Sequence, residues 1–210
     1  MTIQEVQQKP LTDDDFVLAE VDKLQTIFKL KQEMRYDGTR AEEPGADSVA
    51  EHVFGMYLLA NYFLPLEDPE HTWDRDKINQ MILWHDVDEV ITGDIIGYLK
   101  TDEDRARERE ATEQILADLP KHIEPTARAI ITEYEARTSI EAKFTKAIDK
   151  IEPTFHLFNE YGKQITLEKQ TTLDQHQRIK LPFMQEFLYI ARVAEVVTNE
   201  MIEQGFFVSD

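Results

Sequence analysis

His52, the adjacent pair His85-Asp86, and Asp149 are the residues whose types and surroundings could meet in one piece of chemistry. His52 follows Val49 by three residues and precedes Met56 by four, in step with the stripe Val49, Val53, Met56, Ala60 and Phe63. At helical spacing it points inward with that stripe. His85-Asp86 interrupts the apolar run from Met81 to Val87, and Asp149 lies beside the stripe Phe144, Ile148, Ile151, Phe155 and Phe158. A half-buried aspartate is costly unless something positive neutralises it. Two imidazoles and two carboxylates around one divalent cation would satisfy all four groups together. Taken singly, each has a plainer reading. An inward histidine is ordinarily a hydrogen-bonded core residue, and Asp149 can pair with Lys146 or Lys150.

Adjacent side chains on a helix diverge by about 100°, so His85 and Asp86 can take neighbouring positions on one ion. Nitrogen and oxygen donors without sulfur suit one six-coordinate divalent ion: Mn²⁺, Co²⁺ or Mg²⁺, with Fe²⁺ also compatible. Two open positions would remain for water and substrate. Such an ion activates water and polarises a phosphoryl oxygen.

The elements that must position these groups are helical. Only 7 Gly and 8 Pro occur in 210 residues, and apolar residues recur at helical rather than alternating spacing. The pattern predicts an all-α fold in one domain, residues 14–205, after a flexible N-terminus over 1–13. Helices are expected over 14–33, 48–64, 75–92, 102–118, 124–136, 139–161 and 181–204. Ser48 and Glu51 form a capping-box pair, Asp74 precedes the third helix, and Gly93 is placed to end it.

Composition removes whole classes of function. With 42 acidic against 23 basic residues the formal charge is −19, which argues against binding a nucleic-acid polymer through a basic surface. There is no cysteine, hence no disulfide, thiolate nucleophile or Cys-ligated zinc. The longest mostly apolar run, Val53 to Leu66, has 14 residues, against roughly 20 for a membrane span. The opening MTIQEVQQKPLTDDD lacks the features of a secretory leader. The expectation is a cytoplasmic protein with no membrane partner. Phe183, Met184, Phe187, Tyr189, Phe206 and Phe207 are expected in the core, with a dimer surface as the other reading.

The order His52…His85-Asp86…Asp149, with gaps of 33 and 63 residues, resembles the H…HD…D signature of the HD superfamily of metal-dependent phosphohydrolases. Its flanks are similar to the 5′-deoxynucleotidase branch in three stretches: Ser48 to His52, His85 to Ile95 (HDxxExxxGD) and Glu141 to Asp149. The resemblance covers roughly residues 20–160. It implies that His52, His85, Asp86 and Asp149 hold the metal, that Glu89 is the catalytic glutamate, and that Asp94 is a second catalytic acid. Met34 to Arg40 resembles the family's arginine-bearing segment, so Arg35 would grip the substrate phosphate, flanked by Tyr36 and Arg40. Tyr36 stands where the family often has tryptophan. Lys100 matches a further basic position in the motif's tail.

The substrate implied is a deoxyribonucleoside 5′-monophosphate, and the family implies a homodimer. A second metal would require more histidines between the HD pair and Asp149. Only His122 lies there, so one metal is expected. Two other readings stay open: a nucleotide-sensing module without turnover, and a di-iron oxygenase.

Overall fold

The computed structural model describes residues 13–37, 46–97 and 99–209. These residues form α-helices with no strand among them, beyond two isolated bridges. In chain order the helices are α1 Asp14–Phe28, α2 Val49–Glu67, α3 Arg75–Trp84, α4 Glu89–Thr92, α5 Asp102–Asp118, α6 Glu124–Ala136, α7 Ile140–His156, α8 Glu160–Glu168, α9 Leu173–Met184 and α10 Leu188–Glu203.

Local signals set several ends. Ser48 Oγ accepts from Glu51 N while Glu51 Oε2 accepts from Ser48 N, closing the capping box of α2. Asp74 accepts from Lys77 N at the start of α3. Gly93 (φ +72°) ends α4 in the left-handed region that favours glycine.

Helix α7 is the hub, packing on α2, α3, α6, α9 and α10. Phe144, Ala147, Ile148 and Ile151 are fully buried in a cluster with Met56, Phe63, Ile78 and Ile190. A second cluster joins Met81, Trp84 and Val87 to Ile115, Leu116, Ala127 and Tyr134. Surrounded this way, α7 buries most of its surface, and Asp149 and Glu152 are buried along with its apolar face. The expected stripe ends sooner than the pattern suggested: Phe155 and Phe158 are exposed. Of the C-terminal aromatic and Met residues, Met184, Phe187 and Phe206 are core, whereas Tyr189 is exposed.

Four helix expectations need correction. The 14–33 helix ends at Phe28 and tightens into a 3₁₀ turn over Lys29–Lys31. The 75–92 helix breaks after Trp84, where bonding shifts to i+3: Val87 N to Trp84 O, Glu89 N to Asp86 O, Val90 N to Val87 O. Trp84, Val87 and Val90 repeat every three residues against the second core cluster, and a 3₁₀ turn keeps such a row in register.

The 139–161 helix stops at His156, and Asn159 caps a separate α8 by accepting from Gly162 N. The 181–204 helix is two helices around the extended residue Phe187. No local side chain caps α10; Glu67 Oε1, at the end of α2, accepts from Tyr189 N and Ile190 N instead. That cap comes from 122 and 123 residues away, so the local sequence could not announce it.

Helix α9 carries two buried bases, His176 and Lys180. Burial, helped by Lys180, pushes His176 down to about 2. Burial, followed by the Lys150 charge, pushes Lys180 from 10.5 to about 7. Between those two values the unfolded chain holds a proton on Lys180 that the fold refuses, so this residue makes stability rise with pH from about 7 to 10.5. His176 works in the same sense, costing stability as pH falls below 6.5. Urea unfolding from pH 7 to 10 is expected to show the alkaline gain in wild type and a flatter profile in Lys180→Met. Equal slopes in the two proteins would contradict the assignment.

Candidate metal centre

The centre is assembled from α2, the turn after α3, and α7. The segment before α2 is pinned first. Met34 and Ser48 form an isolated antiparallel bridge, Arg35 N donates to Asp47 O, and Val49 N donates to Glu33 O. This sets Arg35 beside the start of α2. Tyr36 then takes a left-handed backbone (φ +61°), unfavourable for a side chain of its size, and its N–H donates to Asp94 Oδ2 at 3.2 Å.

His52 and His85 lie with ring centroids 5.6 Å apart. His85 Nδ1 is 3.0 Å from the Ile82 carbonyl, which can only accept, so Nδ1 carries the proton. His52 Nδ1 is 2.5 Å from Glu152 Oε2. Burial would raise Glu152, but His52 and Arg35 outweigh it and hold this carboxyl below its usual range, so here too Nδ1 is the donor.

Both Nε2 atoms therefore face inward. Asp86 Oδ2 lies 2.9 Å from His85 Nε2 and 3.8 Å from His52 Nε2, and Asp149 Oδ1 lies 3.5 Å from His52 Nε2. One donor atom each from His52, His85 and Asp86 falls within 4.8 Å of the others. His85 Nε2 is buried without a hydrogen-bond partner among the described residues. A divalent cation bridging these nitrogen and oxygen atoms would satisfy them together, and this donor set fits one.

Charge in this corner is finely balanced. Burial and Arg35 push His52 down, but Glu152 and Asp149 outweigh them and its value rises to about 9. Burial would raise Asp86, yet His85 and His52 hold it below the carboxylate range. Asp149 is likewise held low against burial by Lys146 and Lys150. Its Oδ2 receives those lysines at 2.8 and 3.0 Å, while Oδ1 faces His52. The lysine pairing and the approach to the histidines are thus simultaneous, not alternatives.

The remaining expected site residues fall as follows. Glu89 is buried one 3₁₀ step beyond Asp86, not one α-turn beyond His85; burial, Asp86 and Asp94 drive its carboxyl well up. Asp94 is also raised, chiefly by burial, and holds the Tyr36 backbone. Arg35 is buried, with Nη1 3.0 Å from Asp47 Oδ2 and 3.2 Å from Glu152 Oε2, and its guanidinium lies 4.9 Å from the centre of the Tyr36 ring. Lys100 pairs with Glu108 at 2.6 Å. Arg40 lies outside the described residues. His122 is half exposed beside Glu20 rather than near the histidine pair.

Sequence reasoning missed Glu152, Asp47 and Asp88. Glu152 stands three residues after Asp149, hence on the same face of α7, and that spacing was available to be read. Gly55, three residues after His52, makes room for it: a Cβ there would lie 2.6 Å from Glu152 Oε1. Asp88 is raised to about 7 by burial and by Asp86.

An all-helical frame carrying an inward His, a His-Asp pair at a helix break and an Asp on the hub helix defines a class, and the chain belongs to it: the HD domain family matches residues 27–189. Among curated proteins it is similar to the 5′-deoxynucleotidase HDDC2 of Bos taurus, 31% identical over 61% of this chain and 62% of that protein. It is also similar to a dATP triphosphohydrolase of Acinetobacter phage SH-Ab 15497, 30% identical over 69% of this chain and 71% of that one. The chain spans less than two thirds of the length of the HDDC2 proteins of cattle, human and mouse. Its fold matches the structure of a predicted metal-dependent phosphohydrolase from Magnetospirillum magnetotacticum, with TM-score 0.76, 22% identity, and coverage of 92% of this chain and 98% of that chain. Among the described residues no helix is long and apolar enough to cross a membrane.

Mn²⁺ added to chelator-treated protein is expected to raise Tm by about 5–10 °C at about 100 times Kd. Asp86→Ala, which removes one of the clustered donors, is expected to abolish that shift. A shift retained in full would contradict the donor set.

Proposed function

We propose that the chain is a metal-dependent phosphomonoester hydrolase acting on deoxyribonucleoside 5′-monophosphates. The observation that carries this reading is the convergence of His52 Nε2, His85 Nε2 and Asp86 Oδ2 in a buried corner beside Arg35. The metal ligands in this reading are those three residues and Asp149. A divalent cation there, Mn²⁺, Co²⁺ or Mg²⁺, supplies water activation and polarisation of a phosphoryl oxygen.

The protein's own groups do the rest. Arg35 has five N–H donors in a fixed fork. With Nη1 committed to Asp47 and Glu152, the donors of its other nitrogens serve the phosphate. The family resemblance adds Arg40 and Lys100 as further substrate-binding residues, Lys100 being paired with Glu108, and Tyr36 borders the phosphate site through its contact with Arg35. Glu89 handles the proton at its carboxyl, orienting the attacking water or protonating the leaving nucleoside oxygen. Asp94 fixes the Tyr36 backbone and so keeps the arginine segment against the end of α4.

The similarity to the phage dATP triphosphohydrolase, over 71% of that protein, supports a second reading in which a deoxynucleoside triphosphate loses its whole triphosphate. The products separate the two: inorganic phosphate from dAMP, dCMP, dGMP or dTMP, against tripolyphosphate from dATP. The expected result is phosphate from the monophosphates with Mn²⁺, Co²⁺ or Mg²⁺. Glu89→Gln is expected to lower kcat by about 10²–10⁴-fold with Mn²⁺ binding retained. Nucleotide binding without turnover under every metal would establish the sensor reading instead.

A further inference from the structure

We propose that Glu152 is a positioning residue of the cation site, holding the His52 ring so that Nε2 faces the cation; this rests on the reading of His52, His85 and Asp86 as cation donors. Glu152 is buried in the hub helix α7, and its Oε2 takes two partners at once, His52 Nδ1 at 2.5 Å and Arg35 Nη1 at 3.2 Å. An ionised carboxylate accepts and cannot donate. Nδ1 therefore carries a proton, and Nε2 is the atom directed toward Asp86 and Asp149, where a bound cation would take the place of any proton on it. A ligating imidazole whose far nitrogen donates to a carboxylate is fixed in tautomer and ring angle and is a stronger donor.

The carboxylate is itself held on both sides. Arg35, anchored by Asp47 at 3.0 Å, grips Oε2, and the bare backbone of Gly55 lets Oε1 close on α2. His52 and Gly55 are three residues apart, so one face of α2 supplies both the ring and the seat of the group that orients it. A consequence follows for Arg35. Because it sets Glu152, the arginine that serves the phosphate also belongs to the scaffold of the cation site, and the two functions are linked through one carboxylate.

The test is Mn²⁺ binding to the chelator-treated full chain, followed by electron paramagnetic resonance of free Mn²⁺, in wild type, Glu152→Gln, Glu152→Asp and Gly55→Ala. Glu152→Gln is expected to bind Mn²⁺ about tenfold more weakly, at the lower end of the range for outer-sphere substitutions. Glu152→Asp should recover part of the loss. Gly55→Ala leaves the glutamate intact but crowds its carboxylate, and is expected to weaken Mn²⁺ in the same direction; it carries the test should Glu152→Gln not fold. A low-field proton resonance from His52 Nδ1–H, present in wild type, should be absent from Glu152→Gln while that of His85 Nδ1–H, bonded to the Ile82 carbonyl, is retained; a general loss of packing would remove both. Mn²⁺ affinity equal to wild type in a folded Glu152→Gln or in Gly55→Ala overturns the role of Glu152 alone. A wild type that takes up no Mn²⁺ overturns the cation reading and this assignment with it.

Discussion

Two imidazole Nε2 atoms and a carboxylate oxygen converge where α2, the turn after α3, and α7 meet, and the charges around them are arranged to balance that corner. In a buried corner, nitrogen and oxygen atoms facing one another at 2.9–3.8 Å repel unless a proton or a cation lies between their lone pairs. The protein answers with charge of both kinds. Arg35 faces Glu152 and Asp47, and Lys146 and Lys150 face Asp149; in the proposed reading a cation joins the two histidines and Asp86. A chain of net charge −19 thus gathers basic residues where their effect is concentrated by burial. The expense of burying so many ions is accepted only because each has a partner at hydrogen-bond distance.

The fold supplies rigidity to that arrangement through long-range ties rather than through local order. A single bridge between Met34 and Ser48 sets the arginine segment. The Tyr36 backbone, in a conformation it would not choose alone, is held by Asp94 from beyond the end of α4. Glu67 starts α10 from the far end of α2. Because α7 contacts five other helices, a displacement at Asp149 or Glu152 cannot be absorbed locally.

What the sequence showed and what it hid have physical causes. The helical class, the Ser48 box, the Asp74 cap and the Gly93 stop were legible because each rests on residues a few positions apart. His52, His85 and Asp86 could be marked because inward polar residues on apolar faces are conspicuous, and the motif spacing carried the resemblance to the HD family. The break at His85 was not legible, since no glycine or proline marks it; the period-three row Trp84, Val87 and Val90 was the only trace. Helices α8 and α9 lie in a polar stretch whose apolar repeat is weak, although Thr172 and Gln175 do form a capping box. Glu152 was overlooked because an acidic residue in an acidic chain reads as surface until its neighbours are known.

The central claim is that these donors surround one cation, and it is tested most directly by anomalous diffraction from crystals grown with Mn²⁺. The account predicts a single strong peak enclosed by His52 Nε2, His85 Nε2 and the carboxylates of Asp86 and Asp149. A peak elsewhere on the acidic surface, or histidine rings turned so that Nδ1 faces inward, would contradict it.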